Sequence, residues 1–175
     1  MLLKNALIGG GALLASGLTA QAHAGQLTLD VGLPSQKVAE YHKPYLAGWI
    51  ETADGADTGN VFVWYDVKKP NGGGQKWLKE LRTWWRKSGR DLTLPVDGLT
   101  GATRAPGRQT LTIDSAAPAF KDLKPGAYQM VVEAARENGG HDLVKVPFTW
   151  NGEAFAGAAT GDGELGDVKV SYKPQ

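Results

Sequence analysis

The sequence predicts a mainly β protein, an antiparallel, immunoglobulin-like β-sandwich of about seven strands with one amphipathic helix. The first observation is that short segments alternate apolar and polar residues with the two-residue period of a strand. The second is that pairs and triplets of Gly, Pro, Asn and Asp separate these segments. The third is one stretch whose apolar residues follow a helical period instead.

The predicted strands are rich in aromatic and β-branched residues, which favour a pleated, half-buried surface. In the first of them, Leu27, Leu29 and Val31 share one face. The strands cover residues 27–31, 45–52, 61–67, 109–114, 127–135, 143–150 and 168–172. The turn signals between them are Asp54-Gly55, Pro70-Asn71-Gly72, Pro106-Gly107, Pro125-Gly126 and Asn138-Gly139-Gly140.

One helix is predicted from Gln75 to Ser88, with Gly89 at the position that stops it. Its apolar residues form a single stripe, which we expect to pack on the sheet. That stripe consists of Trp77, Leu78, Leu81, Trp84 and Trp85. The basic residues off it are expected to face water and are Lys76, Lys79, Arg82, Arg86 and Lys87. A basic, Trp-rich helix is also typical of membrane surfaces and of docking sites for a partner.

The first 24 residues have the features of a secretory signal peptide. Lys4 is followed by an apolar stretch from Ala6 to Ala20, and Ala22-His23-Ala24 is a small-x-small cleavage site. We therefore expect a signal peptide over residues 1–24 and a single β-sandwich domain over residues 25–175. Export predicts a soluble periplasmic protein, with a retained N-terminal anchor as the alternative.

Composition excludes several classes of function. The chain has no cysteine, which rules out disulfides, a disulfide-linked partner, thiolate metal sites and a cysteine nucleophile. Its 19 basic residues nearly balance its 18 acidic residues, so an exported chain of this kind is not expected to bind nucleic acid. The balance is uneven, because residues 68–108 hold ten Lys or Arg and three acids. A basic middle of this kind favours the handling of an anionic group.

The most informative segment is Asp97-Gly98-Leu99-Thr100-Gly101-Ala102-Thr103, here called the acceptor segment. It resembles the D-G-x-T-G-A-T site at which bacterial flavin transferases attach FMN to threonine. The FMN-carrying subunits of the sodium-pumping NADH:quinone reductase bear a similar sequence on a different fold. A threonine hydroxyl is an alcohol that a phosphate can esterify. The alternative is a hairpin or inter-strand loop that uses Gly, Thr and Asp for turn chemistry.

Separate blocks of the chain, in order, also resemble the predicted periplasmic proteins grouped as domain of unknown function family 2271. The resemblance spans roughly residues 27 to 172. The blocks are Tyr41-x-x-Pro44-Tyr45-x-Ala47-x-Trp49-Ile50-Glu51, Lys76-Trp77-Leu78-x-x-Leu81-x-x-Trp84-Trp85, the acceptor segment continued through Arg104-x-Pro106-Gly107, Pro125-Gly126-x-Tyr128 and Glu133-Ala134-Ala135-Arg136-Glu137. The resemblance implies covalent flavinylation by a periplasmic FMN transferase and partnership with a PepSY-type membrane reductase. It thus implies a redox carrier rather than a catalyst on its own.

Carried over residue by residue, the resemblance makes Thr103 the acceptor of FMN through a phosphoester. Its remaining implied recognition residues are Asp97, Gly98, Thr100, Gly101 and Ala102. Arg104 and Arg108 are near in sequence, and we expect them to bind the phosphate by charge-assisted hydrogen bonds. Trp84, Trp85 or Tyr45 are candidates to stack on the flavin ring.

Two further readings compete with the flavoprotein. A non-enzymatic periplasmic adaptor or binding module, associated with PepSY-type membrane proteins or iron uptake, would use the fold without a cofactor. A metal site would draw on the cluster Glu133, Arg136, Glu137, His141 and Asp142 together with His42, although no metal-ligand spacing supports it. No nucleophile elbow or phosphate-binding loop predicts a hydrolase or a nucleotide site.

Overall fold

The computed structural model describes residues 25–175, so the predicted signal peptide lies outside the described residues. The described chain is mostly β, with strands arranged in two sheets. The strands are β1 Gly25–Leu33, β2 Tyr45–Thr52, β3 Asp57–Tyr65, β4 Thr100–Ala102, β5 Gly107–Asp114, β6 Gly126–Ala135, β7 His141–Trp150, β8 Phe155–Thr160 and β9 Asp167–Pro174. Among these residues, no helix is long and apolar enough to cross a membrane.

The two sheets confirm the predicted β-sandwich. One sheet has the order β5-β1-β9-β8 and the other has the order β4-β3-β2-β6-β7. Each of the seven predicted strands is present, and β4 and β8 are additional. β4 has only three residues, and β8 is a run of small residues with the sequence FAGAAT, so neither carries a strong strand pattern.

The core between the sheets is built by the two-residue alternation of the strands. On β1, Leu27, Leu29 and Val31 are fully buried, while the residues between them are partly exposed. They face Met130 and Val132 of β6 in the same hydrophobic cluster. The four-stranded sheet thus keeps one face in solvent, as antiparallel sheets commonly do.

The five-stranded sheet is covered on both faces, because a helical insertion, residues 66–96, lies over its outer face. β2 is consequently buried at nearly every position. The predicted apolar stripe does pack on the sheet, since Leu78, Leu81 and Trp84 are buried against it. The basic residues Lys76, Lys79, Arg82 and Arg86 are exposed, as expected.

The prediction of one continuous helix from Gln75 to Ser88 is wrong. The insertion contains an α-helix, α1, Arg82–Lys87, and three 3₁₀ segments. The chain leaves helical geometry at Leu81, whose φ and ψ are −76° and 71°. The 3₁₀ segments are Pro70–Gly72, Gln75–Glu80 and Gly89–Asp91.

A buried carboxylate of the sheet explains the break in the helix. Glu133 on β6 is fully buried and accepts the backbone N–H groups of Thr83 at 3.0 Å and Trp84 at 2.8 Å. It thereby satisfies donors at the start of α1 that have no partner within the helix. Because those donors bind the sheet, the preceding 3₁₀ segment cannot continue into α1.

Gly89 lies at the predicted C′ position, directly after the C-cap residue Ser88, but it does not adopt the left-handed conformation typical of that position and instead begins a further 3₁₀ segment. Gly89 is buried, and a Cβ there would lie 2.6 Å from the Trp84 ring. Close packing, rather than a left-handed backbone angle, therefore explains glycine at this position.

Lys87 is the basic residue that differs from the expected solvent-facing set. Its ammonium group lies 3.2 Å from the fully buried carboxylate of Glu51 on β2, and Lys145 of β7 donates to the same carboxylate. Burial raises the pKa of Glu51, but hydrogen bonds from Lys145, Lys87 and Trp49 outweigh burial and leave the pKa below its usual range. An ion pair thus ties the insertion to the sheet.

Candidate functional site

The acceptor segment lies at one edge of the five-stranded sheet, where it forms a loop and then β4. β4 pairs in parallel with β3, with Trp64 opposite Gly101. A parallel pair needs a long crossover connection, and the helical insertion provides it by passing over the sheet face. The segment is therefore not a hairpin. Its first part is an inter-strand loop in which Gly98 and Thr100 provide the turn geometry, as the alternative interpretation predicts, and its second part is an edge strand reached through the insertion.

Two backbone hydrogen bonds attach the acceptor segment to β3 in addition to the β3–β4 pairing itself. The Val63 N–H donates to the Leu99 carbonyl at 2.8 Å, and the Thr103 N–H donates to the Tyr65 carbonyl at 3.2 Å. The ladder thus extends one residue beyond each end of β4. Thr103 is held in a defined position by its backbone.

Thr100 closes the loop that precedes the strand. Its hydroxyl accepts the N–H of Val96 at 2.9 Å, and its own N–H donates to the Val96 carbonyl at 2.9 Å. At the exposed tip, Gly98 has a φ of 73°, which favours glycine, and a Cβ there would meet no atom within 4 Å. Backbone conformation, not space, therefore accounts for Gly98, and Asp97 beside it is exposed.

Thr103 is partly exposed, and its hydroxyl makes no hydrogen bond within residues 25–175. By strand alternation it lies on the same side of the edge as Gly101, whereas Ala102 between them is exposed on the other side. The Thr103 side chain is thus not fully buried. It is held on an edge, with no internal partner to compete for it.

Gly101 and Arg104 both contact the indole of Trp64. A Cβ at Gly101 would lie 2.7 Å from the Trp64 ring, so glycine allows β4 to approach the indole closely. The Arg104 guanidinium lies over the same ring, 5.0 Å from its centroid, in a cation–π contact. The residues two before and one after Thr103 therefore converge on one aromatic side chain.

An open cleft of about 680 Å³ runs between β4 and β5, the edge strands of the two sheets. Its walls are mainly apolar, and the loop after β5 closes one end with Ala117, Pro118 and Ala119. Leu111 and Ile113 face inward on β5 but stay partly exposed, because the short β4 leaves them uncovered. Carboxylates at Asp97 and Asp114 also line the cleft.

The cleft brings together five of the eight predicted site residues. Asp97, Gly98, Thr100, Gly101 and Arg104 line it, and Thr103 lies between two of them in sequence. Arg108 is elsewhere: it is exposed on β5 and lines a separate groove with Asp30, Asp167 and Lys169. Arg104, and not Arg108, is therefore the arginine of this cleft.

The aromatic residues predicted to stack on a flavin lie in another layer. Trp84 and Tyr45 are buried between the helical insertion and the outer face of the sheet, with Trp85 packed beside them. Trp64, Leu111 and Ile113 also line the cleft, although the sequence did not predict them as site residues. Strand alternation predicts that these side chains face the interior. It does not predict that they line a cleft, because that depends on β4 being too short to cover β5.

The acidic cluster near the end of β6 has structural partners. Glu133 also contacts the ring Nε2 of His141 at 2.6 Å, Arg136 pairs with Glu164 at 2.9 Å, and Glu137 pairs with Lys69 at 2.5 Å. Asp142 accepts backbone N–H groups of the loop after β8. Within residues 25–175, no three His, Cys, Asp or Glu side chains form a metal-binding group.

The fold and the site together define a β-sandwich protein that carries a threonine-bearing edge segment beside an apolar cleft. A family model described as "Predicted periplasmic protein (DUF2271)" matches residues 26–167. Because the match covers most of the chain, the protein belongs to this family. Comparison with curated proteins and with solved structures returned no match.

Proposed function

We propose that this protein is a periplasmic electron-transfer flavoprotein that carries FMN covalently on Thr103 through a phosphoester. The observation that supports the proposal most strongly is that Thr103 is partly exposed and lies, within a D-G-x-T-G-A-T segment, between Gly101 and Arg104, which both line an apolar cleft. The family description as a predicted periplasmic protein supports the compartment. We further propose that residues 1–24 are removed as a signal peptide during export.

The residues present fit the cofactor. Thr103 supplies an alcohol without an internal hydrogen bond, and Gly101 and Ala102 beside it add no bulk to the approach. Arg104 supplies a cation for the phosphate diester, which keeps one negative charge. FMN supplies the redox chemistry when it is bound, and the protein supplies its position and surroundings.

Attachment needs a flavin dinucleotide and a separate transferase. The Thr103 hydroxyl oxygen forms a bond to the flavin-side phosphorus, the pyrophosphate P–O bond breaks, and AMP leaves with the bridging oxygen. The hydroxyl proton passes to a base of the transferase. No electrons are gained or lost in this step. A periplasmic FMN transferase is therefore the first partner that we propose.

The second proposed partner is a PepSY-type membrane reductase that exchanges electrons with the carrier. The exposed basic residues of the helical insertion form a face suited to an acidic docking surface. That face consists of Lys76, Lys79, Arg82 and Arg86. Association guided by such charges weakens as salt screens them.

The test is co-expression with and without the transferase, followed by denaturation, intact mass measurement and inspection of the gel under ultraviolet light. We expect a fluorescent band and an FMN adduct only when the transferase is present. Thr103→Val should abolish the adduct because it removes the hydroxyl but keeps the shape. Thr103→Ser should keep an adduct, and Thr100→Val should reduce it by loosening the loop.

Thr149→Val is the matched control, since Thr149 is an exposed strand threonine on β7. It should carry as much FMN as the unaltered protein. A dark band and an unmodified mass in every sample would refute the flavoprotein. The adaptor would then be the remaining hypothesis. Its binding to a partner should tolerate Thr103→Val.

A further inference from the structure

We propose that the isoalloxazine ring of the FMN on Thr103 packs inside the cleft between β4 and β5, against Trp64, Leu111 and Ile113. This inference rests on the proposed function. It goes beyond attachment, since a tethered flavin on a surface loop can equally well remain in solvent. The cleft volume of about 680 Å³ lies within the range of roughly 300–1,000 Å³ typical of cofactor sites.

The walls of the cleft suit a flat aromatic ring. Leu111 and Ile113 have their inward faces partly open to water, although both belong to the border of the main core. Across the cleft, Phe62 and Trp64 pack with ring centroids 4.6 Å apart. Because Phe62 and Trp64 are themselves only 2% and 4% exposed, the apolar surface that a ring in the cleft would remove from water is mainly that of Leu111 and Ile113, with the indole adjacent to it.

Thr103, the residue that would carry the cofactor, lies in sequence between two residues that line the cleft. Gly101 and Arg104, which flank it in sequence, both line the cleft and both contact Trp64. The tether therefore begins at the rim. Arg104 places a cation at that rim, where the phosphate diester is negative, while Asp97 and Asp114 disfavour a second anion in the cleft.

The experiment uses the full-length flavinylated protein. Its visible circular dichroism and its flavin fluorescence are compared with those of the same sample after complete proteolysis. A ring packed against Trp64 should be quenched several-fold, because a contacting indole donates an electron to the excited flavin, and it should acquire an induced dichroism in its visible band. Proteolysis should abolish both effects.

Two substitutions test the walls, with one control. Leu111→Glu, which puts a carboxylate on an apolar wall, and Ala117→Phe, which fills the end of the cleft without adding an indole, should each raise the fluorescence several-fold and reduce the dichroism. Ala158→Phe on the exposed side of β8 makes the same chemical change as Ala117→Phe away from the cleft and should leave both signals unchanged. Using two cleft variants keeps the test valid if one of them fails to fold.

The outcomes separate this inference from the proposed function. An FMN adduct by mass, with fluorescence equal to that of the proteolysed sample and no induced dichroism, would overturn the packed ring but leave the flavoprotein intact. No adduct at all would overturn both. Quenching that the cleft variants leave unchanged would place the ring on another surface and would also overturn the inference.

Discussion

The two lateral edges of the sandwich are built differently. At the closed edge, β7 and β8 bring the two sheets together, and a Cβ at Gly157 would lie 2.9 Å from the Pro147 carbonyl oxygen. At the open edge, β4 and β5 leave a cleft of about 680 Å³ between the sheets. The closed edge therefore completes the core, whereas the open edge is available for a ligand.

The packing of side chains also differs between the two edges. At the closed edge, Trp150 and Tyr172 pack with ring centroids 4.8 Å apart, and Phe148 stacks on Phe155 at 4.8 Å. At the open edge, the inward-facing residues of β5 have no such partners. A sandwich of this size can thus reserve one edge for stability and leave the other to hold a site at little cost to its core.

The largest expected effect is a difference in the free energy of unfolding between substitutions at the closed edge and at the open edge. Trp150→Ala at the closed edge should lower the free energy of unfolding by about 3–5 kcal/mol, because it empties a packed aromatic cluster. Leu111→Ala at the open edge should cost less than about 2 kcal/mol, since its side chain is already partly in water. Urea unfolding followed by circular dichroism measures both. Equal losses would mean that the open edge is as tightly packed as the closed one.

The next largest effect is the loss of stability in acid, where protonation breaks the ion pairs that attach the helical insertion to the sheet. Burial raises the pKa values of Glu51 and Glu137, but hydrogen bonds from Lys145, Lys87 and Lys69 outweigh burial and hold both below the ordinary glutamate pKa of 4.5. Their stabilisation is full above pH 4.5 and is lost as the pH falls through the lowered folded values.

Glu51→Gln should therefore lower the free energy of unfolding by about 1.5–3 kcal/mol at neutral pH, the range for hydrogen bonds to charged groups. It should also flatten the loss of stability in acid. Chemical unfolding at a series of pH values measures this slope. Amide-exchange protection factors, which correct for the slower intrinsic exchange in acid, should fall in β4 before they fall in β7 on acidification, because the insertion that leads into β4 is held by these ion pairs. A uniform fall in protection would argue against separate behaviour of the edges.

Substituting one glycine at each edge should show the same difference in stability, with a smaller effect. Gly157→Ala should cost about 1–3 kcal/mol, because the new methyl group meets a backbone oxygen that cannot move alone. Gly101→Ala should cost less, since the new methyl group meets the Trp64 side chain beside an open cleft. Thermal unfolding of both variants provides the measurement, and a larger loss for Gly101→Ala would reverse the expected order.

The smallest effect on stability is expected for Arg104→Ala. Exposed cation–π contacts contribute about 0.5–1 kcal/mol, so the unfolding curve should hardly move. In the flavinylated protein, however, the variant should loosen the phosphate and increase flavin fluorescence. A destabilisation as large as that of Trp150→Ala would show that Arg104 is part of the core.

Local sequence patterns predicted the strands well because burial on one face imposes a two-residue period. Residues 45–52, for example, were predicted as a strand with the bounds that the structure has. The helical insertion was predicted in place but as one helix. Its break depends on Glu133, which is about fifty residues away in sequence and reaches the start of α1 only in the folded sheet.

Residue type and spacing along the chain were enough to predict the sandwich, the apolar stripe of the insertion and the resemblance of the acceptor segment. The folded arrangement was needed to show that this segment is a parallel edge strand, that Arg104 and Trp64 accompany it, and that Arg108 does not. A cleft forms where two strands fail to cover each other, and the order of strands in space is not a local property of the chain.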